Sequence, residues 1–465
     1  MESHRLRLGL LALTQLVVAL DYNIVYVALP DIGHDLGFSP SSVQWVVSAY
    51  AVGLGGLLLF GGRAADRLGA RRMFMAGLAI YGVASLAGGL APGAGTLVAA
   101  RAVQGVGGAL LTPATLTLVY RGFPEGPARN RALGAWGMAG SAGLAAGSLL
   151  GGVLTNYLGW EWVFFVNVPL ALACALAAPR LLPPDPARAP GGFDVPGAVL
   201  ATAGSVLLVF GLASGTDAGW WTPRGAGALA AGLVLLVLLL FVEARTREPL
   251  IPLRLARGRG LATTMVVIAI FQATLGGGYY VLTSYLQLVL GYSSLEAGLT
   301  FLPLTVLCML AALKFTPPLL GRWGIRTTLV TSTLGTGVGI GMLVVGTTPG
   351  GGFWTLLPGS VVWGICGGVA FVTLFAAAGA GVAPHEQGVA SGLASTTKEI
   401  GGALGLALVV ALATGASDLL DGLHAAGWTA AALTVAGGLS ALALKSDRPA
   451  PRRPAAPKTL EGAGK

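Results

Sequence analysis

Charge is what this chain lacks most. Asp, Glu, Lys and Arg make up only 10% of its 465 residues, where soluble domains carry roughly 25%. Hydrophobic residues make up 54%, and the mean hydropathy is +0.77. No water-soluble fold could cover that much apolar surface, so an integral membrane protein is expected. Cysteine is almost absent: Cys174, Cys308 and Cys366 lie in three separate apolar runs, which suggests neither a disulfide framework nor a metal site. The four histidines lie near chain ends or in loops and form no cluster. No G-x-x-x-x-G-K-[ST] sequence occurs, so nothing is built to hydrolyse ATP. An enzyme would need clustered catalytic groups and a receptor a sizeable soluble domain; neither is seen. No cofactor and no metal are expected.

What is abundant is apolar sequence and glycine, 73 residues of it. Membrane helices use small residues to pack closely, and each crossing needs about 20 mainly apolar residues. Fourteen such runs can be counted, from 8–29 to 425–444. The first is too long for a signal-peptide core and contains Asp21, so it reads as a retained helix. With the N-terminus inside, 24 of the 28 basic residues fall in inside segments, and Arg224 is the only one outside. Short loops rich in Lys and Arg stay cytoplasmic, so the net charge of +9 reads as a topology code and not as a nucleic-acid footprint. Both termini are expected to be cytoplasmic, in a multi-pass protein of the cell membrane.

Residues 61–72 form a charged knot between two apolar runs: Gly62 and Gly69 bracket Asp66, which sits among Arg63, Arg67, Arg71 and Arg72. An ordinary positive-inside loop would look similar. The distinguishing feature is an echo, because Arg67-Leu-Gly-Ala-Arg71 returns as Arg322-Trp-Gly-Ile-Arg326, which suggests an internal duplication. The echo is satisfied by 6+2+6 helices. Residues 1–182 are then one six-helix half, 183–259 a linker with two extra helices, and 260–445 the second half. Residues 446–465 form a Pro- and Arg-rich tail, expected to be disordered.

Ionisable residues inside apolar runs are costly and are functional candidates by default. Asp21, in the first run, is a candidate proton carrier; the alternative is a structural acid bonded to neighbouring helices. Arg101, in the fourth run, needs a partner in such a setting, with Gln104 three residues on along the same face. Lys398-Glu399, in the thirteenth run, is either a second ionisable station or a compensated structural pair. Gly143, Gly147 and Gly151 recur in steps of four and form one ridge for close helix approach. Tyr22, Tyr26, Tyr50, Phe271, Gln272, Tyr279, Tyr280, Tyr285 and Gln287 are candidates for lining a cavity.

These residues carry a resemblance. Gly62-x-x-x-Asp66-Arg67-x-Gly69-x-Arg71-Arg72 is similar to the loop motif of the major facilitator superfamily, and Arg101 with Gln104-Gly105 resembles its helix-four motif. Gly134-x8-Gly143-x3-Gly147-Ser148-x2-Gly151-Gly152 resembles its antiporter motif. Leu20-Asp21-Tyr22-Asn23-Ile24-Val25-Tyr26-Val27-Ala28-Leu29-Pro30 resembles the first-helix motif of the fourteen-helix drug:proton antiporters, and 159–169 and the stretch from Tyr285 to Pro303 also resemble that branch. Three departures stand out: Ser148 replaces the usual Pro, Asn23 and Tyr26 replace Thr and Asn, and Gly321 stands where the second loop would carry an acid. The resemblance implies an all-α major facilitator fold that exchanges protons for outward-moving drug-like molecules. Asp21, Arg101 and Glu399 would serve proton coupling, the 62–72 loop gating, and Tyr22, Asn23, Tyr26, Gln104, Gln272, Tyr279 and Tyr280 the substrate cavity. The expected partners are a small-molecule substrate, protons and the lipid bilayer, without nucleic acid, for a protein acting as a monomer. A proton-coupled symporter or an exporter of an endogenous metabolite on the same fold is the alternative.

Overall fold

The computed structural model describes residues 2–38, 42–43, 45–185, 194–218, 221–246, 259–292, 294–414, 416 and 418–444. The expected linker 186–193, most of the polar hinge after 246 and the tail from 445 lie outside the described residues.

Backbone in hydrocarbon must satisfy its own hydrogen bonds, which a helix does within one segment, and the described residues form helices joined by short loops. In order these are α1 (Glu2–Asp35), α2 (Trp45–Leu68), α3 (Ala70–Gly89), α4 (Ala94–Gly122), α5 (Pro127–Leu158) and α6 (Trp162–Leu181). Next come α7 (Val195–Ala218), α8 (Pro223–Glu243), α9 (Gly260–Val289), α10 (Glu296–Gly346), α11 (Phe353–Gly379), α12 (Pro384–Ala413) and α13 (Leu419–Ala443). Twelve of them are long and apolar enough to cross a membrane. The exception is α7, of which only Pro196–Gly211 reads as an apolar helix.

The expected runs 297–318 and 327–346 meet inside α10. At 51 residues this element would be about 76 Å long at 1.5 Å per residue, far beyond a hydrocarbon core of about 30 Å. It is broken at Gly324, whose φ of 74° and ψ of 175° are not helical. The first R-x-G-x-R loop turns the same way, with Gly69 at φ 106° between α2 and α3. Side chains rarely adopt that region, so both echoes put glycine where the backbone requires it.

Packing follows a repeated scheme. The helix pairs α1–α5, α1–α6, α2–α4, α3–α4 and α3–α6 pack together in the first part of the chain. Later come α9–α12, α9–α13, both arms of α10 with α11, and the second arm of α10 with α13. The crossings that join the sets include α2 and α4 with α12, and α5 with α10 and α11. The α7 helix packs on α8, and also lies against α2 and α12. Trp136 of α5, stacked on Phe371 and edge-on to Phe375 of α11, fills part of the join.

Candidate functional site

The charges of the apolar runs meet in one place. Asp21 and Arg101 have 0% and 1% of their side chains exposed, and Arg101 Nη1 donates to Asp21 Oδ2 at 2.7 Å. Nη1 also donates to Gln104 Oε1 at 2.6 Å, and Nε to the Val46 carbonyl at 2.9 Å. The other Asp21 oxygen accepts from Gln104 Nε2 at 2.9 Å and Asn167 Nδ2 at 2.8 Å. Gln104 Nε2 reaches Ser85 Oγ as well, at 2.9 Å. Five helices, α1, α2, α3, α4 and α6, thus contribute to one buried network around the carboxylate. In so dry a setting each buried charge needs a partner and hydrogen bonds, and the cluster supplies both. The guanidinium lies on the Tyr50 ring, 4.4 Å from its centroid, which is a cation–π geometry.

Tyr50 has a second face. It lines a cavity of about 230 Å³ between α1, α2, α4, α5, α9, α10, α11 and α12. Among the expected cavity residues, Tyr22, Tyr50, Phe271, Gln272 and Tyr279 are on this lining, and Glu399, expected in proton coupling, is on it too. Tyr279 stacks on Phe301 and leans on Trp363. The rest are elsewhere. Gln104 belongs to the buried cluster, and Asn23 donates to the Leu144 carbonyl of α5 at 3.0 Å. The Tyr26 ring pairs with that of Tyr22 without reaching the lining. Tyr280 packs beside the core around Tyr285, whose hydroxyl donates to the Thr348 carbonyl at 2.6 Å. Gln287 is also off the lining. Lys398 and Glu399, whose places on the helix do not by themselves pair them, bond to each other at 2.7 Å on the cavity wall.

The glycine ridge of α5 faces α1. A Cβ at Gly143, Gly147 or Gly151 would run into the carbonyl oxygens of Leu16, Leu20 and Ile24 in turn, so the two backbones touch on both sides of Asp21. Gly134 instead faces Ala312 of α10, and Gly152 stands off from Val27. The α5 backbone stays helical through position 148. A matching ridge escaped the sequence reading: Gly401 and Gly405 of α12 abut Ala269 and Ala273 of α9. The G-x-x-x-G spacing in 401–405 was its signal.

At the end of the bundle that carries the R-x-G-x-R loops, Asp66 bridges the two sets of helices. Its Oδ1 accepts from Arg121 Nη2 at 2.7 Å and the Gly388 N–H at 2.9 Å, and its Oδ2 from the Val389 N–H at 2.8 Å. Those amides belong to the first turn of α12, where no intrahelical acceptor exists. Gly62 lies against Gly388 and Gly392. Arg121 also donates to the Pro384 carbonyl at 2.9 Å. Asp185, just after α6, does for α3 what Asp66 does for α12, accepting from the N–H groups of Arg71 and Arg72 at 2.9 and 3.0 Å. The Arg71 side chain donates to the Pro179 carbonyl at 3.1 Å, and Arg67 follows Asp66 in the last turn of α2. Sequence reasoning missed Asn167, Ser85, Arg121 and Asp185 as partners. Only Asn167, a polar residue inside the apolar stretch 163–171, carried a visible signal.

The model of the major facilitator superfamily matches residues 11–406 and 318–464. The puromycin resistance protein of Streptomyces alboniger is 40% identical over 408 residues, 87% of this chain and 80% of that protein. The cephamycin export protein of Amycolatopsis lactamdurans is 40% identical over 411 residues, 85% of this chain and 82% of that one. Among solved structures, a human organic anion transporter superposes with a TM-score of 0.71 at 15% identity, covering 94% of this chain and 99% of its own; that likeness is one of fold. Sequence, fold and the buried charge cluster agree, and the chain belongs to the major facilitator superfamily, as a multi-pass membrane transporter and not an enzyme.

Proposed function

We propose that the protein is an exporter of antibiotic-like small molecules that works as a proton antiporter by alternating access. Relatives whose names describe puromycin resistance and cephamycin export support the export direction and the substrate class. The observation that carries the coupling is the Asp21–Arg101 pair, sealed in the helix core against Tyr50, which also lines the cavity. Protonating Asp21 removes the charge that holds Arg101, Gln104 and Asn167, so the cluster has two arrangements that a proton can switch between. One charge moving down a potential of about 150 mV supplies about 3.5 kcal/mol, enough for a gradient of order 300-fold in a neutral solute.

We read the topology as fourteen spans. Gly324 divides α10 into two crossings, and α7 forms one more. Helices α1–α6 and the segments from α9 to α13 are then two six-helix halves related by the duplicated loops and the repeated packing scheme. The α7–α8 pair is an insertion beside the α2–α12 crossing. The R-x-G-x-R end, with both chain termini, is cytoplasmic, so the Asp66 bridge closes the inward side. The halves rock about the cavity between them, each with its glycine ridge, and the transporter works as a monomer.

The test replaces Asp21 by Asn, which keeps shape and hydrogen bonding but cannot titrate. In energised vesicles Asp21→Asn should reach the membrane yet lose proton-driven efflux and substrate-induced proton release, while Asp21→Glu keeps part of both. Undiminished coupled transport by the Asn variant would refute the assignment of the proton to Asp21.

A further inference from the structure

Lys398 and Glu399 are the only side chains of fixed charge on the cavity lining among the described residues. Their ion pair, at 2.7 Å, leaves 27% and 21% of the two side chains exposed. The wall around them is mostly aromatic and aliphatic, with Phe271, Trp136, Trp363 and Tyr279 among its members. The polar groups beside them, such as Gln15 and Gln272, are neutral. The cavity therefore holds one positive and one negative charge that cancel only while they are paired.

Consider what each class of solute does to that pair. A neutral solute leaves it closed. A monocation that seeks Glu399 must displace Lys398, stranding an ammonium in an apolar wall beside an incoming like charge. A monoanion that seeks Lys398 strands Glu399 in the same way. The pair is only part-buried, but opening it still leaves an uncompensated charge against a mostly apolar wall, which is unfavourable. A zwitterion can open the pair and satisfy both halves at once, ammonium on Glu399 and carboxylate on Lys398. We propose that this pair is a charge-balance filter, so that the cavity takes aromatic solutes that are neutral or zwitterionic and discriminates against those with a net charge. The proposal rests on the export reading above, since it names which solutes that cavity accepts.

The test measures binding and transport separately. Purified protein in lipid nanodiscs is titrated by equilibrium dialysis with ciprofloxacin as an aromatic zwitterion, ethidium as a monocation and chloramphenicol as a neutral aromatic. Chloramphenicol export is followed in energised vesicles. Wild-type protein should favour ciprofloxacin over ethidium by about tenfold or more, a difference equivalent to about 1.4 kcal/mol. Lys398→Met should reverse that order by exposing Glu399 to the monocation. Glu399→Gln should lose ciprofloxacin without gaining ethidium. The exchanged pair Lys398→Glu with Glu399→Lys should restore the wild-type order, which a misfolded variant could not do. A wild-type protein that binds ethidium as well as ciprofloxacin, or a Lys398→Met variant with an unchanged ratio, overturns the filter. If chloramphenicol export persists in that case, the export reading stands alone. Absence of binding and export of all three probes by the wild type overturns both.

Discussion

Replacing Asp66 by Asn tests the bridge between the two sets of helices with almost no change in shape. In the structure its carboxylate accepts three hydrogen bonds of 2.7 to 2.9 Å, one from Arg121 and two from the first turn of α12. Asn keeps one oxygen. If that oxygen stays with Arg121 and Gly388, its amide donor faces the Val389 N–H, so one bond is replaced by a repulsive contact. The other two weaken, because their acceptor is no longer an anion. Hydrogen bonds to charged groups contribute about 1.5–3 kcal/mol each, against about 1 for neutral ones. The variant should therefore lose about 2–3 kcal/mol of bridging, and only in the closed arrangement. That shifts the closed-to-open ratio by roughly 30- to 150-fold. The shift can be read as a distance distribution between spin labels at Arg72→Cys and His385→Cys, with Cys174, Cys308 and Cys366 replaced. The wild type should give one short population, and Asp66→Asn a second, longer one that dominates. An unaltered distribution would show that Asp66 does not hold this end shut.

Gly147→Ala should force α1 and α5 apart beside Asp21, because the added Cβ would lie 2.5 Å from the Leu20 carbonyl oxygen. Overpacking of this kind costs about 1–3 kcal/mol, so a lowered Tm together with reduced efflux is expected, and an unchanged Tm would refute the close approach. Gly324→Ala places a side chain at φ 74°, at a cost of about 1–2 kcal/mol, and should lower Tm. Gly321→Ala, whose Cβ would meet open space, should leave Tm unchanged, and equal effects of the two would contradict the break at Gly324.

Much of this architecture was legible because membrane sequences encode it coarsely. Charge is so costly in hydrocarbon that the few ionisable residues of the apolar runs had to find partners. That is why Asp21, Arg101 and Gln104 could be singled out from sequence, and why they are found bonded together. Glycine steps of four are as readable, since on a membrane helix they serve close approach; they marked the ridge on α5, and the structure shows its partner to be α1. The partners contributed by ordinary positions were not legible. Asp185 looks like part of a proline-rich linker, and its role as the cap of α3 depends on a contact 113 residues away in sequence. Arg121 looked like one more loop cation. Tyr26 and Tyr280 lie off the lining of this cavity: an aromatic residue packs as readily against a neighbouring helix as into a cavity, and its sequence position does not decide which.

Two helices carry most of what the function needs. Along α2, Tyr50 supports Arg101 near one end, while Gly62 and Asp66 grip α12 near the other. Along α12, Gly388 and Val389 receive that grip, and Lys398 and Glu399 stand on the cavity wall about three turns further on. A helix is stiff over such a distance, so α2 cannot tilt at the bridge without moving Tyr50 against the guanidinium. Likewise α12 cannot follow it without moving the ion pair relative to the cavity. Coupling between separated sites requires an element with two arrangements that both sites bias, and the α2–α12 crossing is in contact with all three groups of charges. The glycines at that crossing let the backbones meet directly at Gly62, Gly388 and Gly392. On the proposed reading, proton state, substrate charge and closure of the loop end would all act on this one pair of helices.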